Sequence, residues 1–311
     1  MTFALVFPGQ GSQSVGMMNG YGDSLTILET FAEASEALGE DLWQMVSEGP
    51  AERLALTVNT QPLMLTAGVA AYRAWLAAGG AKPALVAGHS LGEYSALVAA
   101  GALSFADAVP LVRFRAQAMQ EAVPEGEGAM AALMGLEIDE VRATCAEAQE
   151  GEVVEAANLN APGQIVIAGA RAAVERAMKL ASAKGAKRAV LLPVSAPFHC
   201  ALMKPAAERL RERLATVTIV RPKIDVLNNV DVAVQDDPEK IRDALVRQAF
   251  SPVRWIESVT AMAERGLTRV IECGPGKVLA AMTKRISKDV EGGSLHDAAS
   301  LGQILAEIKA G

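Results

Sequence analysis

A serine between two glycines, in Gly88-His89-Ser90-Leu91-Gly92, is the residue of this chain best suited to covalent chemistry. Small or apolar residues precede it over 84–87, as in a short buried strand, and residues 93–100 have apolar positions at helical spacing. A serine on a strained strand-to-helix turn needs flanking glycines, because larger side chains would collide with the neighbouring strand and helix. The pattern therefore predicts a nucleophilic Ser90, with the backbone N–H of Leu91 free to stabilise an oxyanion.

A second loop could complete the oxyanion hole. Residues 3–7 form a continuous apolar run, which predicts a buried parallel strand, and Pro8-Gly9-Gln10-Gly11-Ser12-Gln13 follows it. A backbone N–H of this loop, that of Gln10, could then act beside that of Leu91. The glycine spacing also suggests a dinucleotide-binding turn, but Ser14 stands at the third glycine position and Pro8 breaks the turn, so nucleotide binding is the weaker alternative.

One histidine is suitably placed to act as a base. Residues 194–200 include a proline and several small residues and predict a loop, which puts His199 just before a predicted helix over 201–217. Such a histidine could take the Ser90 proton during attack on a carbonyl and return a proton to the leaving group. Because no acidic residue stands where it would orient this histidine, we expect a backbone carbonyl to hold its tautomer in a dyad; a purely structural histidine is the alternative.

Two arginines lie within a strongly apolar predicted helix. The segment Ser104-Phe105-Ala106-Asp107 resembles a capping box and opens a helix to about residue 123 that contains Arg113 and Arg115. A guanidinium in apolar surroundings is costly unless it is paired. The alternatives are a functional arginine and a surface arginine that buries its stem or forms an ion pair.

Composition excludes several classes of function. The 311 residues are 51% hydrophobic but 4% aromatic, and the net charge of −7 argues against a nucleic-acid partner. Three cysteines (Cys145, Cys200, Cys273) and three histidines are too few and scattered for a disulfide framework or a metal site. Residues 1–8 lack a basic region and a cleavage site, and no apolar run approaches the length of a membrane span, so we expect a cytoplasmic protein.

The order of predicted elements indicates an α/β fold with an insertion. A composition shift at 124–128 precedes strands over 129–133, 153–158, 164–169 and 188–192, and helices over 139–149 and 172–184. This β-α-β-β-α-β order is ferredoxin-like, and 160–163 read as the turn of its hairpin. We therefore predict a large α/β domain over 1–124 and 196–311, and a small subdomain over 125–195. The large domain should further contain helices over 25–38, 60–76, 238–249, 255–265 and 301–310, and strands over 224–227 and 268–272.

Five motifs occur along the chain in the order seen in the malonyl-CoA–acyl carrier protein transacylases, and the chain therefore resembles that family. Acyltransferase domains of polyketide and fatty acid synthases share the pattern. The resemblance covers essentially the whole chain, and the five motifs together are far more specific than any one of them. The motifs are Pro8-Gly9-Gln10-Gly11-Ser12-Gln13, Gly88-His89-Ser90-Leu91-Gly92-Glu93-Tyr94, Arg115 with Met119-Gln120, Pro197-Phe198-His199-Cys200 and Arg247-Gln248-Ala249-Phe250-Ser251-Pro252.

The resemblance implies an α/β-hydrolase-like large domain with a ferredoxin-like insertion, and a role for each matching residue. Ser90 would become malonylated, His199 would act as general base and acid, and the main-chain carbonyl of Gln248 would orient His199. Arg115 would pair with the malonyl carboxylate. The other implied roles are oxyanion N–H groups for Gln10 and Leu91, and malonyl selectivity for His89 and Phe198.

The resemblance also implies the partners and the rival function. The substrates would be malonyl-CoA and the phosphopantetheine thiol of acyl carrier protein, with no further cofactor and no metal, in a ping-pong transfer. The pathway could be fatty acid or polyketide synthesis, and Arg113 has no implied role. A serine esterase or thioesterase would share Ser90 and His199 but would not need Arg115.

Overall fold

Two β-sheets organise the chain, which a computed structural model describes over residues 2–310. Met1 and Gly311, the outermost residues of the predicted large domain, lie outside the described residues. The strands are β1 (Phe3–Phe7), β2 (Leu85–Gly88), β3 (Gly128–Met134), β4 (Val154–Ala161), β5 (Gln164–Ala170), β6 (Arg188–Leu191), β7 (Asp225–Leu227), β8 (Arg269–Cys273) and β9 (Glu291–Leu295). The helices are α1 (Leu25–Leu38), α2 (Leu42–Glu48), α3 (Ala51–Ala55), α4 (Thr57–Ala77), α5 (Gly92–Ala99), α6 (Phe105–Glu121), α7 (Ile138–Ala148), α8 (Arg171–Ala183), α9 (Lys204–Leu214), α10 (Pro238–Gln248), α11 (Trp255–Glu264), α12 (Val278–Ile286) and α13 (Ala298–Ala310), with 3₁₀ turns at Asn19–Tyr21 and Ala201–Met203.

The larger sheet is parallel throughout, in the order β7-β2-β1-β8-β9. All five residues of β1 are buried, and alternate residues of this strand pack into different apolar clusters on its two faces. This two-sided burial explains why the strand is a continuous apolar run. Phe7 at the end of β1 lies in register with Gly88 at the end of β2, so the loops that follow the two strands meet at one edge of the sheet.

The second sheet is antiparallel, in the order β4-β5-β3-β6, and helices α7 and α8 pack against it. This is the ferredoxin-like arrangement that the sequence predicts, and it encloses an apolar cluster of its own. Two backbone hydrogen bonds tie the sheet to the rest of the chain, since Val253 N donates to Ala157 O (2.9 Å) and Leu159 N donates to Val253 O (2.9 Å). The α/β fold class is thus confirmed, while the exact domain boundaries stay a prediction.

Most predicted elements are found within a few residues of their expected limits, with three kinds of difference. The hairpin turn is shorter than expected, because β4 runs to Ala161 and leaves Pro162-Gly163 as the turn. The helix expected over 201–217 is a 3₁₀ turn followed by α9. Four elements, α2, α3, α12 and β9, were not predicted from sequence. In β9 the glycines hid the strand, since Gly292 lies so close to the Ala280 carbonyl of α12 that a Cβ there would clash with it.

Candidate active site

The turn between β2 and α5 holds Ser90 in a left-handed backbone conformation, with φ of 52°. Both glycines of the pentapeptide are sterically required at this turn. A Cβ on Gly88 would overlap the backbone of Gly92, and one on Gly92 would overlap the carbonyl of Phe7 in β1. The structure therefore has the strained strand-to-helix turn that the glycine spacing predicts.

Asn229, which follows β7, braces this turn from the neighbouring strand. Its Oδ1 accepts from Ser90 N at 2.8 Å, and its Nδ2 donates to Gly88 O at 2.6 Å. The two bonds satisfy backbone groups on both sides of the strained residue. Asn229 was not among the residues predicted from sequence, although its position two residues after a short strand was a signal available there.

His199 contacts Ser90 across 109 residues of sequence. Its Nε2 lies 2.6 Å from Ser90 Oγ, and its Nδ1 lies 2.9 Å from the main-chain oxygen of Gln248. Because a carbonyl only accepts, Nδ1 carries the proton and Nε2 is free to accept the serine proton. Burial, reinforced by the positive charge of Arg115, lowers the pKa of His199 to about 3, so the imidazole is neutral at physiological pH. The loop position expected from sequence is in fact buried, with 4% of the residue exposed and φ of 62°.

Two backbone N–H groups beside the serine have no acceptor within residues 2–310, those of Gln10 and Leu91. Their loops are close together, because a Cβ on Gly9 would lie only 2.6 Å from the carbonyl oxygen of His89. Both residues line the same cavity as Ser90. An oxyanion formed at Ser90 could accept from both groups, which is the arrangement expected of these two residues.

Arg115 of α6 is buried, with 2% of the residue exposed. Its Nη1 donates to Gln61 Oε1 at 2.8 Å, and its Nη2 donates to Gln248 Oε1 at 3.0 Å and to Ser90 Oγ at 3.3 Å. The guanidinium also lies 5.5 Å from the ring centroid of Tyr94. Burial lowers the pKa of Arg115, but its ordinary value is high enough that the group stays charged.

Arg113, two residues earlier, has a different environment. Its Nη1 and Nη2 each donate to one oxygen of Glu40 at 3.0 Å, which forms a two-bond ion pair. Arg113 is therefore the paired arginine of the two alternatives considered from sequence. Arg115 is the one that reaches the serine.

The side chain of Gln248 connects the parts of the site. Besides accepting from Arg115, it donates through Nε2 to Ser90 O at 3.0 Å and to Glu93 Oε2 at 2.9 Å. Glu93 Oε2 also accepts from Asn229 N at 3.0 Å. Burial raises the pKa of Glu93 to about 7, although the hydrogen bonds from Asn229 and Gln248 act to lower it. From sequence, Gln248 was expected to act through its main chain alone and Glu93 had no expected role, although Glu93 directly follows the pentapeptide.

A cavity of about 110 Å³ opens beside the serine, between the parallel sheet and the ferredoxin-like sheet. The two residues proposed for selectivity both line it. His89 Nε2 donates to Asn160 Oδ1 of β4 at 2.8 Å, and burial lowers the pKa of His89. Phe198 is 8% exposed. The other lining residues are Gln10, Gln61, Ser90, Leu91, Arg115, Met119, Met130, Asn158, Leu192, Val194 and His199.

The described residues show neither a metal site nor a membrane-spanning helix. Within residues 2–310, no group of three His, Cys, Asp or Glu side chains is arranged to hold a metal ion. None of the helices described is both long and apolar enough to cross a bilayer. The three cysteines are free thiols and all are buried.

Comparisons with known proteins agree along nearly the full length of the chain. A family model described as the acyl transferase domain matches residues 4–309. The malonyl CoA-acyl carrier protein transacylase of Escherichia coli (strain K12) is 55% identical over 304 residues, which are 97% of this chain and 98% of that protein. An acyl-carrier-protein S-malonyltransferase from Burkholderia pseudomallei has a crystal structure with a TM-score of 0.97 and 62% identity, covering 98% of this chain and 100% of that one. A malonyl-transacylase in complex with its type II polyketide synthase acyl-carrier protein has a TM-score of 0.97 and 49% identity, covering 99% and 100%.

Proposed function

The chain belongs to the acyl transferase domain family, and we propose that it transfers the malonyl group from malonyl-CoA to the phosphopantetheine thiol of acyl carrier protein. The transfer passes through a malonyl-serine intermediate on Ser90. The relatives named above carry this activity in their names, and one of them is seen with its carrier protein.

The identity of the acyl group is inferred from one observation. A buried guanidinium, that of Arg115, lies beside the nucleophile. It lies 3.3 Å from Ser90 Oγ, yet its hydrogen-bond partners are neutral. An acyl group that ends in a carboxylate would supply the missing negative charge. A serine esterase or thioesterase acting on neutral acyl groups would gain nothing from a guanidinium that lacks a carboxylate hydrogen-bond partner here, and the comparisons do not favour that alternative.

In the first half-reaction, Ser90 Oγ attacks the thioester carbonyl of malonyl-CoA while its proton moves to His199 Nε2. The carbonyl oxygen becomes an oxyanion that the N–H groups of Gln10 and Leu91 stabilise. When the intermediate collapses, the C–S bond breaks and His199 returns the proton to the sulfur of CoA. The main-chain carbonyl of Gln248 keeps the proton on Nδ1, and thereby stabilises the imidazolium that forms transiently.

The second half-reaction reverses these steps with a different thiol. The phosphopantetheine thiol of the carrier protein gives its proton to His199 and attacks the malonyl ester. The C–O bond then breaks, and Ser90 recovers its proton from His199. The residues described account for every proton transfer, so we infer that the reaction needs no further cofactor. A cytoplasmic location stays a prediction.

Intact-mass spectrometry after mixing with malonyl-CoA tests the proposal directly. We expect the mass to rise by one malonyl group and to return to its starting value when acyl carrier protein bearing phosphopantetheine is added. The variant Ser90→Ala should show no adduct and no transfer, because loss of the nucleophile in serine enzymes lowers turnover by about 10⁶. An adduct of normal yield on this variant, or release of malonate to water in place of transfer, would refute the proposal.

A further inference from the structure

The partners of Arg115 share a property that bears on substrate choice, because both fixed acceptors are amide oxygens. Gln61 Oε1 accepts from Nη1 and Gln248 Oε1 accepts from Nη2. A buried arginine ordinarily has a carboxylate partner, since an uncompensated charge in a low-dielectric site is costly. Amide oxygens fix the orientation of the guanidinium but leave its full positive charge.

The same helix shows what a compensated arginine looks like. Arg113 donates two hydrogen bonds to the Glu40 carboxylate, whereas in the part of the chain described Arg115 forms no ion pair. A carboxylate is available nearby in Glu93, but its Oε2 accepts from Asn229 N and Gln248 Nε2. Gln248 thus bridges this carboxylate and the guanidinium, because it donates to Glu93 and accepts from Arg115.

We propose that Gln61 and Gln248 are specificity-determining residues, which hold Arg115 in place and keep its charge available for a carboxylate on the acyl group. The inference rests on the proposed function, in which Arg115 binds the malonyl carboxylate. Gln61 gives the cleaner test, because its Nε2 has no acceptor within residues 2–310 and the residue lines the cavity. Gln248 is less suitable, because its Nε2 also donates to Glu93 and to the main-chain oxygen of Ser90.

Two substitutions of Gln61, by glutamate and by methionine, distinguish a role in specificity from a purely structural role. A glutamate at position 61 would keep an acceptor for Arg115 and strengthen the contact, so a structural role predicts that Gln61→Glu is better tolerated than Gln61→Met. On the present proposal the new carboxylate occupies the guanidinium and repels malonate, so Gln61→Glu is the worse variant for malonyl selectivity. Methionine at position 61 removes the acceptor for Arg115 but leaves the positive charge of the guanidinium available to malonate.

The experiment measures the ratio of malonyl to acetyl adduct on Ser90 by intact mass, with equal concentrations of the two CoA esters. We expect Gln61→Glu to lower this ratio by ~10- to 100-fold, the factor that one hydrogen bond to a charged group carries, and Gln61→Met to lower it less. Gln117→Glu is the matched control, because Gln117 is exposed on the same helix as Arg115. The thermal midpoint of Gln61→Glu should be at least that of Gln61→Met, because the buried charge gains a partner.

Each outcome decides between the possibilities. A ratio for Gln61→Glu at or above that of Gln61→Met would overturn the inference, as would a Gln61→Glu protein that does not fold, since Arg115 should accept a carboxylate neighbour. Arg115→Ala is measured in parallel. If that variant keeps the wild-type ratio, the proposed role of Arg115 fails; if it loses selectivity while Gln61→Glu does not, the inference about the glutamines alone fails.

Discussion

Replacing Arg115 by alanine should convert a malonyl-selective site into one that no longer prefers a carboxylate. The substitution removes a buried positive charge and leaves the side-chain oxygens of Gln61 and Gln248 without a donor. Ser90 and His199 keep their mutual contact of 2.6 Å, which does not pass through Arg115. The nucleophile should therefore stay reactive while the selectivity changes.

The size of the change follows from the hydrogen bonds that a carboxylate would form. Each hydrogen bond to a charged group contributes about 1.5–3 kcal/mol, so that a two-bond pair contributes about 3–6 kcal/mol. At about 1.4 kcal/mol for each factor of ten, this corresponds to a selectivity of about 10² to 10⁴. No discount for solvent screening applies, because Arg115 is only 2% exposed. Acetyl transfer should rise in relative terms, because acetyl-CoA leaves the wild-type guanidinium unpaired.

The assay is the malonyl-to-acetyl adduct ratio on Ser90 for the wild type, Arg115→Ala and Arg115→Lys. Lysine should recover only part of the ratio, because an ammonium cannot form the planar two-bond contact. An alanine variant with the wild-type ratio would refute the reasoning. Arg113 could not then take over the role, because its guanidinium is already paired with Glu40.

Three further predictions concern His199, Gln248 and Glu272. His199→Ala should slow acylation by about 10⁶, as loss of the histidine does in serine proteases. If stopped-flow measurements show that this variant keeps most of the wild-type acylation rate, another group acts as the base. Gln248→Ala should lower the malonyl-to-acetyl ratio at least ~10-fold, because its side chain holds Arg115; unchanged selectivity would limit its role to the main chain. Burial raises the pKa of Glu272 from 4.5 to about 7, so the unfolded chain deprotonates first and this group's contribution to stability falls as pH rises through that interval, by up to about 3 kcal/mol. Denaturant unfolding at pH 5 and pH 8 should show a smaller loss for Glu272→Gln than for the wild type, and equal losses would contradict the assignment.

The sequence by itself determined those features that depend on neighbours along the chain. The strained turn at Ser90 could be predicted because two glycines avoid clashes within a few residues. Helix α1 was predicted with its observed limits because Gly39 ends it in a left-handed conformation. The ferredoxin-like order followed from alternating strand and helix patterns. The resemblance then supplied the candidate roles of Ser90, His199 and Arg115.

Only the tertiary structure decided which side chains hold these residues in place. Gln61 gave no distinct signal, and the positions of Glu93 after the pentapeptide and of Asn229 after β7 did not reveal their partners. Each of the three forms its contacts with residues that are distant in sequence. The two arginines show the reason most clearly. Arg113 and Arg115 have similar apolar neighbours, but two residues turn a helix by about 200°, so they point to opposite sides. One meets Glu40 of the chain, and the other faces the nucleophile, a distinction that depends on what packs against each side of α6.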